Sequence, residues 1–179
     1  ANVTHLNMEM AVTDEMVEIA SRLVPNSCCL VPEKRQELTT EGGLNVAESL
    51  SRVSNAVVRL HEKGIKVSLF IDPEERQIAL AKEVGADYIE LHTGRYSNTS
   101  GTEQVAELDR LIAGAELAHS LGLKVNAGHG IDYDNMAGIL RVPHLSELNI
   151  GFSIISRAVF VGLGEAVKEM RKLMDTYTM

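Results

Sequence analysis

"DYIELHT", residues 87–93, alternates Tyr88, Glu90 and His92 with Ile89 and Leu91. A β-strand has a side-chain period of two, so this spacing puts the polar residues on one face and the aliphatic ones on the other. "HLNMEMAV" (5–12) repeats the arrangement, with His5, Asn7 and Glu9 set against Leu6, Met8 and Met10. Strands of an open doubly wound sheet are covered by helices on both faces and read as nearly continuous apolar runs. In a closed barrel one face meets the helices and the other points toward the axis, where a polar layer near the top marks the reacting end. The alternation therefore favours the barrel.

Working outward, the chain repeats strand-then-helix units. After 5–12 a helical pattern starts at Thr13 or Asp14; "SCCLV" (27–31) leads through a long polar loop to a helix over about 47–63. "KVSLFID" (66–72) precedes a helix opened by Pro73, since proline suits a first helical turn. Residues 87–93 lead by the loop "GRYSNTSGT" to a helix over about 103–121, and "LKVNA" (123–127) ends in a glycine turn before a short helix near 133–140. "ELNIG" (147–151) is followed by helical "SIISRAVFVGL" and "GEAVKEMRKLM". Two joints, "HEKGIKVSLFID" and "AHSLGLKVNAGHG", end a helix on glycine and begin a strand at once. No G-x-G-x-x-G follows a strand, so the usual dinucleotide-binding signature of an open sheet is absent.

The expected fold class is α/β, a (β/α)8 TIM barrel with about six of the eight strand-helix units in this chain, forming a single domain over 1–179. A barrel of this kind needs about 250 residues. The shortfall is about two units, and because the chain begins close to a strand, the expectation is that the first two βα units are the missing ones and that strands three to eight are present.

The bulk properties narrow the functions. A content of 45% hydrophobic residues suffices for one sizeable core. No apolar run reaches the roughly 18 residues of a membrane span, and neither basic nor apolar signal-peptide regions open the chain, so a cytoplasmic protein without a membrane partner is expected. The net charge of −8 argues against nucleic acid as a partner. Small anions are not excluded, because backbone N–H groups at a helix N-terminus hold phosphate locally. Cys28 and Cys29 are adjacent in an apolar run; they read as buried strand residues, with neither disulfide geometry nor metal-ligand spacing.

Four positions suggest chemistry. Glu9 and Glu90 are single carboxylates in otherwise apolar strands, where desolvation suits them to general acid-base work, unless they form a structural ion pair inside the barrel. His92 shares the face of Glu90 and reads first as a core or rim histidine. His129 stands between Gly128 and Gly130 in "KVNAGHGID" (124–132), a turn that frees the backbone and lets a ligand approach. The next strand ends at Gly151 before a helix start at Ser153, and the loops after the last two strands are where such barrels often bind phosphate. "VPEKRQELTTEGG" (31–43), with Lys34 and Arg35, is long enough to be a substrate lid or simply a solvated loop.

Taken together, "NMEMAVTDEM", "CCLVPEKRQELTTEGGLNV", "VSLFID", "IELHTG", "LGLKVNAGHG" and "ELNIG" with "SIISRAV" resemble the pyridoxine 5′-phosphate synthase family of the deoxyxylulose-dependent route to vitamin B6. The resemblance runs over essentially the whole chain. It implies a (β/α)8 barrel that condenses 1-deoxy-D-xylulose 5-phosphate with 3-amino-2-oxopropyl phosphate, giving pyridoxine 5′-phosphate, inorganic phosphate and water, with no metal or organic cofactor. It also implies a homo-oligomer, an octamer in the family. By motif, Glu9 takes the place of a proton-accepting glutamate and His129 that of a proton-donating histidine. Glu90 matches a carboxylate that stabilises charged intermediates, while Thr39, Gly130 and Gly151 fall on substrate- or phosphate-binding positions.

Two departures accompany it. Phe152 stands where the family usually carries a histidine, leaving its backbone N–H but no imidazole for a phosphate. The first two units of the family, with a further proton-accepting histidine and a substrate-binding arginine, are not in this sequence, so the chain by itself is expected to have little synthase activity. The alternatives are a non-catalytic barrel fragment acting as an assembly partner, or another phosphate-binding barrel enzyme. The latter needs a differently placed base such as a Schiff-base lysine, whereas Lys66 and Lys124 lie at strand starts, away from the catalytic end.

Overall fold

The structure, a computed structural model, describes residues 4–33 and 42–177. The alternating stretches become six parallel strands: β1 (Asn7–Ala11), β2 (Ser27–Val31), β3 (Lys66–Ile71), β4 (Tyr88–His92), β5 (Lys124–Gly128) and β6 (Leu145–Asn149). They form one sheet in the order β1-β2-β3-β4-β5-β6, each strand pairing with the next in sequence. A doubly wound sheet reverses its strand order at a switch point. Here the order never reverses, so every crossover steps the same way and the sheet curls into a partial barrel, as the alternation implied.

The helices between and after the strands are α1 (Asp14–Leu23), α2 (Leu50–His61), α3 (Glu75–Glu83), α4 (Gly94–Asn98), α5 (Gly101–Ser120), α6 (Met136–Ile139), α7 (Phe152–Val161) and α8 (Leu163–Met174). Among the described residues none is long and apolar enough to cross a membrane. The apolar core lies between sheet and helices. Leu30 of β2, Val67, Leu69 and Ile71 of β3, Ile89 and Leu91 of β4 and Val125 of β5 are fully buried on the outer face. They pack with Val53, Val57 and Leu60 of α2, Ile78 of α3, and Leu111, Ala115 and Ala118 of α5, residues that recur at helical spacing along one stripe. The inner face carries the other parity: Asn7 and Glu9, Cys29, Ser68 and Phe70, Glu90 and His92, Asn126, and Asn149.

The glycine joints behave as their sequence suggests. At Gly64 (φ 72°) the N–H bonds the carbonyl of His61, and the next N–H, of Ile65, reaches back to Leu60; Gly122 (φ 76°) and Leu123 repeat this with His119 and Ala118. The left-handed residue closes the last turn and delivers the chain directly into β3 and β5.

Three local expectations are corrected. "GRYSNTSGT" is not a plain loop, since Gly94–Asn98 forms α4. Tertiary packing overrides its weak helix propensity: Tyr96 is buried, and its hydroxyl donates to the Asn135 carbonyl at 3.0 Å. Pro73 does not open α3, whose N-cap is Glu74. The chain first turns tightly, with the Glu74 N–H on the Asp72 carbonyl at 2.7 Å, because the Asp72 side chain is tied inward to His92. The short helix near 133–140 is α6, which is confined to Met136–Ile139.

α1 begins on Thr13, whose hydroxyl accepts from the Met16 N–H at 3.2 Å, but ends on Val24, a β-branched residue at φ 49° and half exposed. A left-handed backbone costs an L-residue roughly 1–2 kcal/mol, offset in part by the extra freedom a glycine has to lose on folding. Val24→Gly should therefore raise the unfolding free energy by about 0.5–1 kcal/mol, read from urea denaturation; a loss of that size would show that the Val24 side chain matters more than its backbone.

Candidate active site

The inner row is brought together by register. Glu9 sits beside Cys29 and Cys29 beside Ser68; across the sheet Glu90 sits beside Asn126, and His92 beside Gly128. Glu90 is buried, and its Oε2 accepts hydrogen bonds from the Cys29 thiol at 3.3 Å and from Asn149 Nδ2 at 2.6 Å. Burial pushes its carboxyl above the ordinary carboxylate value; the two hydrogen bonds hold it back in part, while the charges of Glu9 and Glu147 push the same way as burial. Burial and the neighbouring Glu90 raise the Cys29 thiol well above its usual range, so Cys29 stays a donor. Glu9 lies on β1, at the edge of the described sheet, and is exposed there.

His129 ends β5 in an unusual backbone. It and Gly130 are consecutive left-handed residues, at φ 78° and 77°. For a histidine this is strained, and its neighbours hold it there. Thr93, fully buried, has its hydroxyl on the carbonyls of Gly128 at 2.8 Å and His129 at 2.6 Å, and its N–H also reaches Gly128. Asn135 Nδ2 closes the turn on the Gly130 carbonyl at 2.9 Å. Gly128 is needed for space rather than for its φ: a Cβ there would collide with the Glu90 carboxylate.

The imidazole of His129 faces solvent on one side and rings on the other, with centroids 5.0 Å from His92 and 6.3 Å from Phe70. Lost hydration at that wall, and then the charge of His92, lower its pKa from the ordinary value, with Glu9 acting in opposition. His92 is itself buried and donates from Nδ1 to Asp72 Oδ1 at 3.0 Å, the carboxylate being wholly inaccessible.

These residues open into one cleft of about 1200 Å³. Glu9, Glu90, His129, Gly130, Gly151 and Phe152 all line it. Thr39, Lys34 and Arg35 lie outside the described residues. Gly151 is the N-cap of α7, and Phe152, the first helical residue, is 88% exposed; the first N–H groups of this helix have no intrahelical acceptor. Ser153 anchors the helix start through its hydroxyl on the Ile131 carbonyl at 2.8 Å. Arg157, one turn later, also lines the cleft and is paired through Nε and Nη2 with Glu169 at 2.7 and 3.0 Å. Lys66 and Lys124 begin β3 and β5, at the opposite ends of those strands from the cleft.

Sequence reasoning overlooked Asp72, Thr93, Cys29 and Asn149. Cys29 and Asn149 were findable, because the same period-two count that faces Glu9 and Glu90 inward also faces them inward. Thr93 and Asp72 act just beyond strand ends, where alternation no longer applies.

The family model described as pyridoxal phosphate biosynthesis protein PdxJ matches residues 1–176. A pyridoxine 5′-phosphate synthase of Idiomarina loihiensis is 54% identical over 171 residues, covering 95% of this chain and 71% of the relative. One from Blochmanniella pennsylvanica is 52% identical over 173 residues, covering 96% and 71%. Among solved structures, KGPDC from Streptococcus mutans is similar with a TM-score of 0.62 at 12% identity, over 97% of this chain and 74% of that one. A xylose isomerase domain protein from Planctomyces limnophilus gives 0.58 at 17% identity, over 97% and 71%. Likeness at such identities is one of fold.

Glu90 and His129 set a pH dependence. Glu90 has a folded pKa above its ordinary 4.5, so the folded chain binds the extra proton and stability falls as pH rises from there through the raised value. His129 has a folded pKa below 6.5, so the unfolded chain binds more protons and stability falls as pH drops through that point. Glu90→Gln should remove the first decline, whose slope is at most about 1.4 kcal/mol per pH unit, and leave the second. Urea denaturation across pH 4–8 reads it, and parallel profiles for variant and parent would contradict the role given to burial.

Proposed function

Because the chain belongs to the pyridoxal phosphate biosynthesis protein PdxJ family, we propose that it works as a pyridoxine 5′-phosphate synthase whose proton transfers are carried by Glu9, Glu90 and His129. The substrates are 1-deoxy-D-xylulose 5-phosphate and 3-amino-2-oxopropyl phosphate, and inorganic phosphate and water leave with the product. The observation that carries this reading is the meeting of Glu90 and His129, a buried carboxyl and a half-solvated imidazole, in one cleft beside the start of α7.

Joining an amine to a ketone, losing water and phosphate, and closing an aromatic ring needs several proton transfers. Glu9, on the cleft wall, is the proton acceptor. His129 is the proton donor, since an imidazole with weakened proton affinity gives up its proton readily. Glu90, hydrogen-bonded on one oxygen, stabilises positive charge that develops on the condensing nitrogen. Gly151 and Phe152 meet the phosphorylated groups through backbone at the α7 N-terminus, where the helix dipole favours an anion, and Gly130 does so from the turn after β5; Thr39 belongs to the same substrate site.

The six strands correspond to strands three to eight of the barrel, β5 and β6 taking the places of the seventh and eighth. A homo-oligomer, the octamer of the family, fits the exposed apolar side chains of Ile155, Val159 and Phe160 on α7. A cytoplasmic setting fits the two buried cysteines, both free thiols.

In the protein as its gene encodes it, His129→Ala and Glu9→Gln should each lower kcat by about 10²- to 10⁴-fold with product formation from the two phosphates as the assay. Full activity in either variant would remove that residue from the proposed chemistry. Phe152→His should lower KM for a phosphorylated substrate; an unchanged KM would mean that the backbone N–H suffices.

A further inference from the structure

We propose that Asp72 and His92 are positioning residues for His129: a buried carboxylate fixes one imidazole, and that imidazole sets the orientation and proton balance of the reacting one. The proposal rests on the reading of His129 as the proton donor, and deepens it.

The geometry is built from three strand ends. Asp72 follows β3 and is wholly inaccessible, and its backbone is clamped from outside, since a Cβ on Gly43 would stand 2.6 Å from the Asp72 nitrogen. His92 ends β4, 8% exposed, with Nδ1 on Asp72 at 3.0 Å and Phe70 edge-on at 4.9 Å. Held on these two sides, the ring has one orientation and one tautomer, with the proton on Nδ1. Its Nε2 edge then points over Gly94, where a Cβ would stand 2.6 Å from His92 Nε2 and 3.0 Å from His129 Cδ2. The absent side chain at 94 is what lets the two imidazoles approach to 5.0 Å.

A buried carboxylate–imidazole pair is a costly way to fill a wall. Desolvation offsets most of its Coulomb gain, and apolar residues of equal volume would pack at least as well. What the pair supplies and an apolar wall cannot is a fixed, charge-responsive group against His129. The charge of His92, held in place by Asp72, disfavours a proton on His129 and so favours its transfer. Among the described residues, the other ionisable groups around His129 are Glu9 on β1, which opposes this effect, Glu90 on β4 behind Gly128, and Asp132, Tyr133 and Arg157, which line the same cleft.

The test is a proton-NMR titration of the ring protons of His129 and His92 in the unmodified chain and in two variants. In the parent the two rings should titrate as a coupled pair, each curve inflecting at the midpoint of the other. His92→Asn keeps a donor for Asp72 but removes the ring, and should move the His129 midpoint upward toward the ordinary histidine value. Asp72→Asn, nearly isosteric, should move it in the same direction by less. In the gene-encoded enzyme, kcat should fall about 10- to 100-fold in His92→Asn with KM little changed, and the alkaline limb of the kcat–pH profile should follow the NMR midpoint. Independent titration curves in the parent overturn the proposal even if neither variant folds. Loss of kcat with an unmoved His129 midpoint also overturns it, leaving His92 a merely structural residue. Because the titration needs no turnover, it stays informative if His129→Ala proves active and the donor assignment fails.

Discussion

The close approach of β4 and β5 governs this structure. Where the two strands end, the Glu90 carboxylate fills the place that a Cβ on residue 128 would take, and the chain beyond Gly128 turns at once into two left-handed residues. Everything at the cleft follows from that contact. Glu90 is buried because β5 closes over it, Asn149 of the next strand can reach its Oε2, and the turn carries His129 back across the strand ends toward His92. Thr93 and Asn135, binding carbonyls in the turn, offset the cost of the strained histidine backbone.

The sheet divides its labour by parity. Outward residues such as Leu69, Ile71 and Leu91 are fully buried and hold the helices, so stability resides there. Inward residues hold polar groups whose burial is destabilising taken singly, and which persist because register pairs them: the Cys29 thiol and the Asn149 amide both meet Glu90. The separation allows reactive groups to be replaced on one face without emptying the core on the other.

Much of this was legible in the sequence. The parity of "DYIELHT" and "HLNMEMAV" carried the fold, because a period of two has only one structural meaning, and helix-ending glycines marked two joints to the residue. Glu90, His129, Gly130 and Gly151 could be placed at the cleft for the same reason, each sitting at or near a strand end. Exposure of Glu9 could not be read, because burial depends on what flanks a strand laterally and not on its own alternation. The helix at Gly94–Asn98 was likewise hidden, since its stability comes from Tyr96 meeting Asn135, thirty-nine residues away. Asp72 and Thr93 lie one residue past their strands, where orientation is set by the turn that follows.

The pairing of Arg157 with Glu169 bears on how a ligand finds the cleft. A guanidinium already held by two carboxylate oxygens contributes almost no field beyond its immediate surroundings, and the chain as a whole carries a formal charge of −8. A doubly charged phosphate ester is therefore repelled at long range by the net charge and attracted at short range, among the described residues, by helix-end N–H groups. Capture by such a surface should quicken as ionic strength rises, because screening over a Debye length of about 10 Å at 0.1 M removes the distant repulsion and spares the short contacts. The described surface thus favours anions by proximity rather than by steering.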